Sequence, residues 1–258
     1  EDRFGTVDTV GIYARVFDAF GQPLDAQFSV NQSGQAVIYD QDEPAVAMDF
    51  DGDFVVSWTS YGQDGDMDGV YARMYNYLGQ AKDGEFRVNN RTQERQSNSD
   101  VAMDDRGNFV ITWSAFGHPD DGSEWGVFGR RYRAAGGALG GEFMVNTYTA
   151  DDQMDAHVAM DYSNGDFVVS WSSYLQDGSG WGIYARRFDS SASPLGSATR
   201  VNKTTLHWQH QSDVAADEDG NYVVTWCGMG KDNPYATGDR EFGGEGRRKG
   251  ISRYAVVK

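Results

Sequence analysis

Short stretches in which apolar and polar positions alternate recur along this chain in a fixed order, and no stretch sustains a 3.6-residue helical period. The clearest are VAMDFDGDFVVSW (residues 46–58), VAMDDRGNFVITW (101–113), VAMDYSNGDFVVSW (158–171) and VAADEDGNYVVTW (214–226). They align with one single-residue insertion, and their starts lie 55, 57 and 56 residues apart. Repetition at such a period marks an array of supersecondary units that bury their apolar faces against one another.

Within each segment a turn dipeptide, Asp51-Gly52, Asn164-Gly165 or Asp219-Gly220, divides two apolar runs, and Arg106-Gly107 keeps only the glycine. The first three favour tight hairpin turns with positive φ at both central positions, so each segment is predicted to be an antiparallel hairpin. A third strand follows, read as GVYARMY from Gly69, GVFGRRY from Gly126 and GIYARRF from Gly182, with a further copy, GIYARVF, at Gly11 and a degraded one, GISRYAVV, at Gly250. Tyr71, Arg73 and Tyr75 face one way and Val70, Ala72 and Met74 the other, a strand alternation. A short fourth strand begins at Phe28, Phe86, Phe143 and Thr199, and one Gln (Gln41, Gln96, Gln153, Gln209) stands five residues before each hairpin.

Four antiparallel strands per unit predict an all-β fold: one domain over residues 1–258, a four-bladed β-propeller of four-stranded blades with VAMD innermost. Pairing of the N- and C-terminal segments would close the ring and remove free sheet edges. Residues 11–17 and 250–257 compete for one place in the last blade, so an open piece of a longer array is the alternative.

The units resemble repeats of large bacterial surface and secreted proteins, and the VAMDFDGDFVVSW core resembles Asp-box and integrin-type propeller hairpins. That resemblance implies a propeller on an extracellular or cell-surface protein. Propellers serve as lectins, adhesins, scaffolds and enzymes alike, so it implies no single function.

Composition narrows the partners. The formal charge of −17 repels nucleic acid and anionic membrane surfaces and admits divalent cations or a basic partner. With Cys227 as the single cysteine there is no internal disulfide and no CxxC site. No apolar run is long enough to insert in a membrane, and the start lacks signal-peptide character, so the chain is expected to be water-soluble, as a mature form or an excised piece.

Asp64, Asp66 and Asp68 alternate before Gly69 in the manner of a calcium loop and are the candidate Ca²⁺ ligands. Trp125 and Trp181, with Tyr61 and Tyr174, are candidate glycan contacts, because an aromatic face can stack on a sugar ring. The in-phase Trp58, Trp113, Trp171 and Trp226 read as core. The recurrent Arg15, Arg73, Arg130 and Arg186, and Asp49, Asp104, Asp161 and Asp217, read as structural, joined by Arg–carboxylate bonds. The long segment 228–250 is a candidate contact loop for another surface protein.

GxSxG, Walker A and HExxH motifs are absent, and the His207/His210 pair has no third ligand in view. The functional expectation is therefore a non-catalytic binding or structural module, with carbohydrate as the leading ligand. The alternatives are a propeller enzyme such as a glycosidase, and a pure scaffold.

Overall fold

The computed structural model describes residues 10–32, 40–122, 124–229 and the strand at 252–257. The expected contact loop lies, from residue 230 to 250, outside the described residues.

Three complete blades follow one another. The first is Gln41–Met48 (β3), Phe54–Tyr61 (β4), Asp68–Tyr75 (β5) and Phe86–Arg87 (β6). The second is Gln96–Met103 (β7), Phe109–Phe116 (β8), Trp125–Tyr132 (β9) and Phe143–Met144 (β10). The third is Gln153–Met160 (β11), Phe167–Tyr174 (β12), Trp181–Phe188 (β13) and Thr199–Arg200 (β14). A three-stranded fourth sheet holds Gln209–Ala216 (β15), Tyr222–Gly228 (β16) and Ser252–Val257 (β17). Ahead of the first blade stands a two-stranded sheet, Tyr13–Ala14 (β1) and Phe28–Ser29 (β2). The fold is all-β and of propeller type, with β3, β7, β11 and β15 packed in succession as the inner strands.

The expected closure differs from what is seen. Among the described residues β1 pairs only with β2, and β17 takes the edge of β16. The arrangement is an open one, in which β1 and β2 pack on the first blade through Ile12 and Val30.

Each interface between blades is an apolar cluster built from facing sheet surfaces, for example Val55, Val70 and Val88 against Val101, Met103 and Ile111. Trp58, Trp113 and Trp171 are at most 1% exposed, as their phase predicts, and Trp226 is half-buried. The hairpin turns differ in type from the expected one. Only the glycine has positive φ (85° at Gly52, 76° at Gly220), as in a type I turn followed by a left-handed residue. The Asp of VAMD braces that turn: Asp49 Oδ1 accepts from the Asp53 amide at 2.9 Å, and Asp217 Oδ1 from Asn221 at 2.8 Å.

Among the described residues no arginine pairs with these carboxylates. Arg73 Nη1 donates to the Val30 carbonyl at 3.0 Å, Arg130 to Val88 at 3.0 Å and Arg186 to Val145 at 3.1 Å. Each satisfies a carbonyl of the preceding unit's outer strand while lying over the ring of Tyr75, Tyr132 or Phe188. The recurrence is structural, as expected, but a main-chain oxygen replaces the carboxylate partner.

The recurrent Gln acts in the same way, through the last residue of the outer strand motif. Asn146 Oδ1 accepts from the Val127 amide at 2.9 Å, and Asn146 Nδ2 donates to Gln153 Oε1 at 3.0 Å and Asp121 Oδ1 at 2.6 Å. Asn89 with Gln96 and Asp64, and Asn202 with Gln209 and Asp177, repeat the arrangement. All six amide side chains are buried to 2% exposure or less. Truncating Asn146 to Ala strands several buried polar partners, so it should lower unfolding free energy by about 3 kcal/mol. Denaturant unfolding measures this, and a loss below about 0.5 kcal/mol, the range of an ordinary surface change, would contradict the role.

Candidate functional site

Two residues after each of these glutamines the inner strand is interrupted by a β-bulge, seen as register shifts at Asp42/Ala45, Ser97/Asp100, Met154/His157 and His210/Asp213. The bulged residue is left-handed every time: Glu43 at φ 53°, Asn98 at 54°, Asp155 at 54° and Gln211 at 55°. None is glycine, so each position costs roughly 1–3 kcal/mol that the surrounding frame must offset. Bulges re-aim side chains and recur beside active sites.

The four bulges surround an axial cavity of about 660 Å³, lined also by Asp100, His157 and Asp213. Hydrogen bonds link three of the bulged residues. Glu43 Oε2 accepts from Thr59 Oγ1 at 2.9 Å and from the Asn98 amide at 3.0 Å, and Asn98 Nδ2 donates to Asp155 Oδ1 at 3.1 Å. A second hollow of about 250 Å³ shares Glu43 and Asn98 and is walled by Asp68, Arg95 and Trp125.

Electrostatics separate the groups. Burial raises the pKa of Asp155 and the charge of Glu43 adds to the rise, while His157, the Asn98 bond and His210 pull the other way without cancelling it. His157 Nδ1 stands 3.5 Å from Asp100 Oδ2 and 4.0 Å from Asp213 Oδ1. Its bond to Asp100 raises its pKa against the opposing effect of burial. His210 is lowered by burial. The cavity thus gathers a carboxyl whose pKa is raised by burial, further carboxylates, amides and a cation-prone imidazole.

The sequence candidates are placed differently. Asp64 Oδ2 accepts from Asn89 at 3.2 Å, Asp66 Oδ2 from the Glu94 amide at 2.9 Å, and Asp68 Oδ2 lies 3.8 Å from Arg95 Nε. The three engage separate partners, and no group of three His, Cys, Asp or Glu side chains suited to a metal ion occurs among the described residues. Trp125 meets Phe116 edge-on at 5.4 Å and reaches the smaller hollow. Trp181 packs on Tyr174 at 5.1 Å, and neither they nor Tyr61 line these two cavities. The bulged residues escaped sequence reasoning. Their signal is the polar position two after each recurrent Gln, where the repeat frame is kept and the side chain changes to Glu, Asn, Asp and Gln.

No family model matches the sequence, and no curated protein matches it. Solved structures do share the fold. The GH93 α-L-arabinofuranosidase of Fusarium graminearum, in complex with arabinobiose, is 15% identical, with 76% of this chain and 59% of that one covered at a TM-score of 0.52. A mutant of an α-L-arabinofuranosidase from Fusarium graminearum in complex with an iminosugar inhibitor is 13% identical, with 85% and 58% covered, also at 0.52. A protein of unknown function from Dyadobacter fermentans is 9% identical, with 87% and 67% covered at 0.54. The chain thus spans under two thirds of the length of the arabinofuranosidases. The expectation of a non-catalytic module is corrected by these neighbours, two of which are α-L-arabinofuranosidases that share the fold. Missing nucleophile and zinc motifs do not count against such an enzyme, whose chemistry needs only two placed carboxyl groups.

A histidine whose folded pKa is raised contributes stability fully below its unfolded value of about 6.5, and loses it as pH rises through the folded value. His118 and His210, lowered by burial, act in the opposite sense, so the comparison is between wild type and His157→Gln. The thermal midpoint of the wild type should fall relative to that of the variant as pH rises through neutrality. Parallel curves from pH 5.5 to 8.5 would contradict the His157–Asp100 pairing.

Proposed function

We propose that the chain carries a glycoside hydrolase centre in the axial cavity, with Asp155 as general acid and Glu43 as its partner carboxylate. The observation that carries this reading is the pair itself. Two of the four bulges present carboxyl groups, and burial together with the charge of Glu43 raises the pKa of Asp155. Glycoside hydrolysis needs this division, one carboxyl protonating the leaving oxygen while the other serves as base or nucleophile. Asn98, bonded to both, orients the pair and is positioned to meet sugar hydroxyls.

The neighbours' complexes with arabinobiose and an iminosugar support a sugar as substrate, and arabino-oligosaccharides are the first class to test. The net charge of −17 favours neutral sugars over polyuronates. Trp125 in the adjoining hollow offers a face for a second sugar unit. An extracellular or surface setting is in keeping with a polymeric glycan substrate.

Release of reducing sugar from arabino-oligosaccharides tests the reading. Asp155→Asn should lower kcat/KM by about 10²–10⁴-fold while leaving sugar binding near wild type. Because the charge of His157 lowers the Asp155 pKa, His157→Gln should move the alkaline limb of the pH profile upward. Undiminished turnover in Asp155→Asn, or binding of the sugar without any turnover by the wild type, would overturn the proposal.

A further inference from the structure

The joints between successive inner strands are built alike, with one exception. Thr59, Ser114 and Ser172 hold the same place near the ends of β4, β8 and β12, and all three are at most 3% exposed. At two joints the hydroxyl meets the main chain of the next blade directly. Ser114 Oγ accepts from the Asp155 amide and Ser172 Oγ from the Gln211 amide, each at 3.2 Å. Between the first and second blades a carboxylate stands in the way. Thr59 Oγ1 donates to Glu43 Oε2 at 2.9 Å, and that same oxygen accepts from the Asn98 amide at 3.0 Å.

The hydroxyl thus changes from acceptor to donor at this joint. An ionised carboxylate only accepts, so the proton of Thr59 is committed to Glu43. Glu43 is exposed, and a glutamate side chain in such a place otherwise turns freely through its rotamers. Two donors on one oxygen hold it instead, and the branched Cβ of threonine restricts the hydroxyl more tightly than a serine would. Among the described residues Oε1 takes no hydrogen bond, and Glu43 borders both the axial cavity and the smaller hollow.

We infer that Thr59 is a positioning residue for the Glu43 carboxylate, and that Oε1 is the oxygen of Glu43 that acts on the sugar. The inference rests on the glycosidase reading of the cavity. With Oε2 tied down, Oε1 takes a proton from the attacking water or itself bonds the anomeric carbon. The glycosidic C–O bond breaks, and the proton of the Asp155 carboxyl passes to the departing oxygen. Ser114 and Ser172 hold main chain at their joints, whereas Thr59 holds a reacting group.

Thr59→Val keeps the shape of the side chain and removes the donor, and Thr59→Ser keeps the donor. On arabino-oligosaccharides Thr59→Val should lower kcat about 10²-fold with KM near wild type, the cost of a reacting group displaced by about 1 Å. Thr59→Ser should recover most of that loss. Ser172→Ala, the same deletion at a joint that holds main chain, should lower the thermal midpoint by a similar amount without the fall in kcat. Hydrogen exchange reads the geometry apart from turnover: the Asn98 amide should exchange faster in Thr59→Val than in wild type or Thr59→Ser. Equal kcat in Thr59→Val and wild type would overturn the inference, as would unchanged exchange at Asn98 or equal losses of kcat in Thr59→Val, Thr59→Ser and Ser172→Ala. A wild type without turnover is a failure of the glycosidase reading, and exchange at Asn98 then still decides whether Thr59 holds Glu43.

Discussion

The structure depends on one buried contact, the amide clamp between an outer-strand Asn and the Gln that opens the next inner strand. A four-stranded blade cannot bury both faces alone, so the array holds only if each unit is fixed in angle against its neighbour. Apolar clusters supply contact area without direction. Asn89–Gln96, Asn146–Gln153 and Asn202–Gln209 supply direction, because an amide pair out of water bonds in few geometries and is costly to leave unmet. The exception is informative. Gln41 is buried, yet its Oε1 has no hydrogen-bond partner among the described residues, and it opens the inner strand of the first blade.

The clamp also explains how the axial residues hold a strained conformation. Each clamped Gln stands two residues before a left-handed bulge, so the chain enters the bulge from a fixed point and leaves it into a paired VA segment. The backbone of the three clamped bulges is nearly identical, with φ of 54° to 55°, and the Glu43 bulge after the unclamped Gln41 matches them at 53°. Only the side chains differ. A symmetric frame carrying Glu, Asn, Asp and Gln yields an asymmetric electrostatic site, and the neighbours of Asp155 set it apart from the other carboxyl groups of the cavity.

The repeat, its strand order and the hairpin positions were legible in the sequence because they depend on local alternation and turn residues. The partners of the recurrent residues were not. Arg73 finds a carbonyl 43 residues earlier, and Asp64 finds Asn89 25 residues later, distances over which spacing carries no signal. For the same reason spacing did not reveal that Asp66 accepts from the Glu94 amide 28 residues later. The inner strands were read as starting at VAMD, yet β3 begins at Gln41, because the bulge breaks the period of two and disguises five strand residues as loop. That disguised stretch contains the candidate site. Trp125 was legible as a surface aromatic, but its place beside Glu43 follows from packing between blades.

The proposed functional centre lies at the axis and not on the outer aromatic edges. A crystal structure with arabinobiose bound tests this most directly. The account predicts the disaccharide in the axial cavity, its glycosidic oxygen within hydrogen-bonding distance of the Asp155 carboxyl and its hydroxyls on Asn98. A sugar bound instead over Trp181 and Tyr174, with the axial cavity filled by water, would contradict it.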